Sequence, residues 1–505
     1  MPIDPPAPGA EPALPNGLVV LAVAVSLLGL VGRFVVHRGL WLDEALGVNI
    51  AHLPLGSMTS ALRRDGHPPL SYVLLHGWMA WFGTGDVAVR ALSGVISVAT
   101  LPLAYVAGRR LGGRRVAWIS VALMAVSPFA LRYATEARMY ALVSFLALGG
   151  WLAVDSARSR PSWPRLVLVS AIVAALLWTH YWGGWLVLAG ALLLAGEARR
   201  PDRRAAATRI LLAFGVGVVA FFPWLPVLID QVRNTGTPWG RTRSPLSIVA
   251  VTVNALGGTP DTDHGARMFE GEVYGIALVV LIVLGTIGVH RRAARNPTAL
   301  ASLTLAFGGL GCVLSATAFA SRYAAVAAPF LVLAAGVALA GLSDRTVSVG
   351  VAAALAFGAL FTVRNVHEPR SQLPDLVAIV NARAAAGDVV VYCPDQLGPA
   401  GSRGLRADLV GLAYPTLGDP RFVDWRDYAD RNAQAEPVGV ATMVLDRAAG
   451  HDIWLMSRGG YRTFGDQCER FQGALEAARP HELVQAAGAV DATLELAALE
   501  RFAHS

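Results

Sequence analysis

Long apolar runs broken by short polar connections fill the first 363 residues, and a helix rising about 1.5 Å per residue needs roughly 20 such residues to cross a hydrocarbon core. Eleven stretches fit this pattern, near 17–37, 86–108, 114–132, 137–155, 165–180, 182–196, 209–229, 273–290, 298–319, 322–341 and 346–363, the fifth and sixth being short. The segment 71–82 is apolar over only about a dozen residues, so it is expected to lie in the membrane interface. PPAPGAEPALP reads as a disordered leader over residues 1–16. Beyond Arg364 the hydropathy drops and the period changes. LPDLVAIVNARAAAG predicts an amphipathic helix, DVVVYC and HDIWLMS predict buried strands, and FGDQCERFQGALEAAR predicts a helix. HELVQAAGAVDATLELAALERF predicts a closing hairpin or strand pair. The expected architecture is an α-helical polytopic membrane protein, with about 11 transmembrane helices over 17–363 and a small α/β domain over 370–505.

Composition sharpens this. With 505 residues, 54% hydrophobic and 15% charged, and a mean hydropathy of +0.50, the chain is too apolar for an ordinary soluble enzyme. The net charge of +7 comes from arginine alone, since the sequence contains no lysine. GRRLGGRR (108–115), DSARSRPSWPR (155–165), GEARRPDRRAAATR (196–209), HRRAARN (290–296) and SDR (343–345) fall on alternate connections, which assigns them and the N-terminus to the cytoplasm. This basic excess argues for membrane topology and not for nucleic acid. A cleaved signal peptide is not expected, because no basic segment precedes the first apolar run. The 38–85 loop, the turns TEARMY, THYWGG and SRY, the 230–272 loop and the C-terminal domain are then extracytoplasmic. Cys393 and Cys468 would stand in an oxidising compartment, where they either pair or form two separate core thiols, whereas Cys312 lies in a membrane helix.

The extracytoplasmic face collects the chemistry. Asp43 and Glu44 follow the first apolar run, and a carboxylate pair there is by itself an ordinary solvated helix start. On the same face stand Arg63, Arg64, Asp65, His67, Glu136, Arg138, Tyr140, His180, Tyr181, Arg322 and Tyr323. Ionisable groups at the edge of hydrocarbon are expensive, and gathered in a bundle they tend to line a cavity. A cavity of carboxylates, arginines and aromatics suits a sugar with an anionic leaving group.

The motifs WLDEA, GHPPLSYVLLHGWMAWFG with VAVRALSG, ATEARMYAL, THYWGGWLVLAG and SRYAAVAAPFLVLAAG, in this order over roughly 17–341, resemble the integral-membrane GT-C glycosyltransferases. Within them the chain is most similar to the polyprenyl-phosphate-sugar group, which includes protein O-mannosyltransferases and lipid A aminoarabinose transferases. The resemblance implies a polyprenyl-phosphate sugar donor reached from the membrane lipids, and inversion at the anomeric carbon. It implies mannose as the sugar, with arabinofuranose as the alternative, and a glycolipid, polysaccharide or protein acceptor. It makes Asp43 the catalytic base.

A hydroxyl acceptor needs a carboxylate to take its proton, and a departing lipid phosphate needs cations, for which Arg138 and Arg322 offer the guanidinium fork. Arg322 read blandly is an arginine snorkelling to the interface. Glu44 is placed behind Asp43. His67, before two prolines, either contacts the sugar or holds its loop; as a metal ligand it has no HxxxH or DxD pattern to support it, so no metal or other cofactor is assigned. Glu136 with Arg138 reads equally as an ion pair or a substrate contact. His180 and Tyr181 either shape the acceptor site or form an interfacial belt, and Tyr140 and Tyr323 are expected among the substrate-binding residues. Rival functions are a transporter or flippase of lipid-linked sugar, disfavoured because the polar set clusters at one face and no internal repeat is seen, and a noncatalytic assembly protein on the same fold.

Overall fold

The computed structural model describes residues 16–36, 39–238, 240, 242–259, 266–287, 291–367, 369–488 and 495–504. Nearly all of the leader, the start of the HRRAARN connection and part of the predicted closing pair lie outside the described residues. Each of the eleven apolar stretches falls on helix. Among the described residues, five helices are long and apolar enough to cross a membrane unaided: Asp86–Val126, Tyr140–Ser159, Arg204–Asn234, Ala293–Leu314 and Asp344–His367. Shorter apolar helices, including Trp163–Thr179, Gly183–Ala198 and Ala328–Ala340, pack among them.

The helix Asp86–Val126 is really two. Its backbone breaks at Gly112 and Gly113, the latter at φ +83°, a conformation that side chains with a Cβ disfavour. The halves then fold back so closely that a Cβ on Gly108 would stand 2.6 Å from the Cα of Ala117. This hairpin carries Arg109, Arg110, Arg114 and Arg115 at its tip. Ala328–Ala340 is buried along its whole length. Arg33, 1% exposed just past the first helix, donates to the Ser97 hydroxyl and to the carbonyls of Gly29, Met124 and Ala125. It fastens helix Asn16–Gly32 to both halves of the hairpin.

The 38–85 connection is helical where a loop was expected. It forms helices Leu42–His52, Leu55–Asp65 and Leu70–Phe82, each too short to span. In the 230–272 connection Pro245–Leu256 is a further unexpected helix, entered through the Ser244 side chain, which accepts from the Ser247 amide.

The C-terminal part holds a five-stranded sheet in the order β2-β1-β3-β5-β4, where β1 is Val389–Cys393, β2 Val410–Ala413, β3 Ile453–Ser457, β4 His481–Gln485 and β5 Ala498–Phe502. β1 runs parallel to β2 and β3, while β5 is antiparallel to β3 and β4. Both β1 and β3 are buried at every residue, as their continuous apolar runs require. Cys393 at the end of β1 is bonded to Cys468 in helix Gln467–Ala478. This unit docks on the end of the bundle that carries Asp43. Arg403 bonds Asp86 at 2.7 Å, the Asn49 side chain donates to the Arg421 carbonyl, and the Trp425 amide donates to the Arg64 carbonyl.

Candidate functional site

Adjacent helical residues point about 100° apart, and Asp43 and Glu44 accordingly meet different surroundings. Glu44 is fully buried. Arg90 grips it as a fork, Nε to Oε1 at 2.7 Å and Nη2 to Oε2 at 2.6 Å, and the Ala137 amide donates to Oε1 at 2.9 Å. Arg370, from the connection to the C-terminal sheet, stands 3.9 Å from Glu44 and 3.6 Å from Glu136. Burial pushes the Glu44 carboxyl up, but Arg90, Arg370 and the Ala137 amide outweigh it and hold the group below its ordinary range. Glu136 is also buried, lacks such a fork, and is pushed up by burial. Both glutamates thus stand behind the helix start and brace it.

Asp43 keeps partial access to solvent. Its side chain is 17% exposed and lies 3.3 Å from Nη1 of Arg322, itself 19% exposed. Arg138 reaches under the same turn. Its Nη1 donates to the Asp43 carbonyl at 3.1 Å and to the Tyr72 hydroxyl at 3.3 Å, and its Nη2 stands 3.3 Å from Nε2 of His67. The other ring nitrogen of His67 is 2.9 Å from Asp65, which also accepts from the Tyr72 hydroxyl at 2.6 Å. Burial raises the Asp65 carboxyl, but His67, Arg138 and Tyr72 together bring it down to about 2. Gly66, at φ +92°, closes helix Leu55–Asp65 so that His67 turns back toward Asp65.

The aromatic residues form a second wall. The His180 ring lies 5.9 Å from His67, 5.8 Å from Tyr140 and 5.7 Å from Tyr323, and Tyr323 stacks on Trp182 at 5.0 Å. The Trp182 amide donates to Nδ1 of His180, while its Nε2 and the Tyr140 hydroxyl are buried and make no hydrogen bond among the described residues. Buried polar atoms of this kind call for a partner. Tyr181 turns away from this group to donate to Gln231 and accept from the Trp224 indole.

The structure therefore brings together Asp43, His67, Arg138, Tyr140, His180, Arg322 and Tyr323. Glu44 and Glu136 sit behind them, and Tyr181 sits apart. Among the described residues no group of three or more His, Cys, Asp or Glu is gathered to hold a metal ion.

Sequence reasoning missed Tyr72, Arg90, Arg370 and Glu495. Arg90 could have been found, because an arginine near the start of a long apolar helix demands a carboxylate partner. Glu495 carries no local signal, yet its Oε1 accepts from the Leu42 amide at 2.7 Å, supplying the cap that Trp41 does not make.

Residues 66–229 match the family model of dolichyl-phosphate-mannose-protein mannosyltransferases. A comparison with curated proteins finds no match. Among solved structures, the chain is similar to ArnT from Cupriavidus metallidurans bound to undecaprenyl phosphate, at 13% identity and a TM-score of 0.63, covering 96% of this chain and 98% of that one. It is also similar to the oligosaccharyltransferase AglB from Archaeoglobus fulgidus, in complex with an inhibitory peptide and a dolichol-phosphate, at 12% identity and a TM-score of 0.53, covering 91% of this chain and 72% of that one. In fold, then, the chain is similar to the ArnT and AglB structures over nearly its whole length.

Proposed function

We propose that the protein transfers a sugar from a polyprenyl-phosphate donor to a hydroxyl acceptor with inversion, on the extracytoplasmic face of the membrane. The single observation that carries this reading is the solvent-accessible pair of Asp43 and Arg322 on a GT-C fold, backed by Arg138. The Asp43 carboxylate accepts the acceptor's hydroxyl proton as that oxygen bonds to the anomeric carbon. The bond from that carbon to phosphate oxygen breaks, and its electron pair leaves with the polyprenyl phosphate. Arg322 meets the charge that develops there.

In-line displacement puts the base and the departing phosphate on opposite sides of the carbon. Arg322, the counter-ion of Asp43 in the structure, must therefore turn from carboxylate to phosphate when a donor binds. A free carboxylate and a bound donor would appear together.

The family description and the undecaprenyl phosphate of the ArnT structure support a polyprenyl-phosphate donor, with mannose as the first sugar to test and arabinofuranose the second. The acceptor is a glycolipid, a polysaccharide or a protein. The test is release of free lipid phosphate by purified protein given a panel of polyprenyl-phosphate sugars. Asp43→Asn should lower transfer by about 10²–10⁴-fold, with the fold intact. Transfer at the parental rate would remove Asp43 from this role, whereas no release of lipid phosphate by the parent protein from any donor would favour a noncatalytic protein on the same fold.

A further inference from the structure

At the end of the bundle opposite Asp43, a cavity of about 1350 Å³ opens among the helices that follow the glycine hairpin. Its two ends differ in chemistry. The mouth is lined by six arginines, Arg109, Arg110, Arg158, Arg165, Arg200 and Arg203, against three carboxylates, Asp155, Glu197 and Asp202. Each carboxylate already faces an arginine: Asp155 faces Arg110 at 2.8 Å, Glu197 faces Arg158 at 3.0 Å and Asp202 faces Arg203 at 3.5 Å. Arg165 donates to the carbonyls of Ser156 and Arg160, and among the described residues no carboxylate pairs with it.

Further in, the walls are apolar, with Val169, Val173 and Leu176 on one helix, Leu186 and Leu194 on the next, and Phe330 across from them. Leu176 follows Arg165 on helix Trp163–Thr179 at a depth of about 16 Å, reckoned at about 1.5 Å per residue. An apolar shaft of this depth gives water few partners, and surplus positive charge at its mouth favours a negative group.

We propose that this cavity holds one anionic phospholipid, one of its two acyl chains in the shaft and its phosphate at the arginine mouth, near Arg165 and Arg200. The site is separate from the Asp43 cluster and does not depend on the reaction assigned there. Forked arginines recognise phosphate oxygens, and the shaft rewards a single hydrocarbon chain. A soluble phosphate ester shares the head-group chemistry but leaves the shaft unfilled.

The experiment is native mass spectrometry of the full chain released from bilayers of mixed phosphatidylglycerol and phosphatidylcholine, with glycerol phosphate added in a parallel arm. One phosphatidylglycerol should stay bound. Arg165→Gln with Arg200→Gln should cut its retention about tenfold, the effect of roughly 1.4 kcal/mol. Val173→Trp should abolish retention by filling the shaft, and glycerol phosphate should not displace the lipid. Retention blind to head-group charge, retention unchanged in both variants, or displacement by glycerol phosphate would each overturn the proposal. Should Val173→Trp fail to fold, the arginine pair at the mouth still decides the question.

Discussion

Asp43 and Glu44 show how one step along a helix separates two functions. Glu44 is wholly enclosed and forked by Arg90, and removing one partner of a buried pair leaves the other charge stranded. Glu44→Gln should therefore destabilise the protein by about 3 kcal/mol, read as a lower unfolding midpoint in detergent. Asp43→Asn should leave that midpoint nearly unchanged, because Asp43 borders water. The reverse pattern would mean that Asp43 braces the fold. The adjacent carboxylates were legible in the sequence, but they stand in the first turn of helix Leu42–His52 and not at the end of the first apolar helix, which closes at Gly32. Their opposite burial was not legible, because it is set by Arg90 and Ala137, 46 and 93 residues away.

Short elements are where sequence patterning lost its grip. The long apolar helices announce themselves by composition, whereas Leu42–His52 and Leu55–Asp65 have 11 residues each and no apolar run long enough to register. Their order comes from tertiary contacts with helices Leu70–Phe82 and Leu225–Asn234 and with the connections of the C-terminal unit. Glu495 makes the sharpest of these. Burial drives its carboxyl up to about 8, with the charges of Asp43 and Glu44 acting the same way and Ser371 and the Leu42 amide opposing them. A carboxyl whose folded value lies above its ordinary one binds more protons in the folded state than in the unfolded state, so stability falls as pH rises from about 4.5 toward 8. Glu495→Gln keeps the acceptor for the Leu42 amide and removes this titration. Its melting temperature should match the parent below about pH 4.5, exceed it progressively up to about pH 8 and keep a constant margin above that, as followed by thermal unfolding across that range. The disulfide acts on another pair of elements. Cys393–Cys468 spans 75 residues, and Cys468→Ser should weaken the C-terminal unit by roughly 2–4 kcal/mol, detectable as earlier proteolysis of that unit in a temperature series.

For the molecule as a whole, the alternating arginine connections and the docked C-terminal sheet fix two ends of different character. One gathers Asp43, Arg138 and Arg322, and the other carries the arginine-lined cavity. Read with the arginine bias, this predicts a sidedness. A reporter active only outside the cytoplasm should work when fused after Ser505 and stay silent when placed within 199–204. An inactive C-terminal fusion in a stable protein would invert the assignment. The GT-C likeness was legible because its motifs sit where long helices end. The docking of residues 370–504 onto those motifs was not, since contacts such as Arg403 with Asp86 join positions 317 apart that share no local pattern.

The bond from Glu495 to the Leu42 amide also orders events in time. The two residues are 453 apart in the chain, and at about 5–20 residues per second a ribosome needs on the order of 20–90 s to make the second after the first. During that interval the helix bearing Asp43 lacks its cap, and a chain cut short before residue 495 never gains it. A nascent or truncated protein can thus fill the membrane with its helices while its proposed base stays poorly positioned. Synthesis of the last strand becomes the moment at which the earliest part of the site is set.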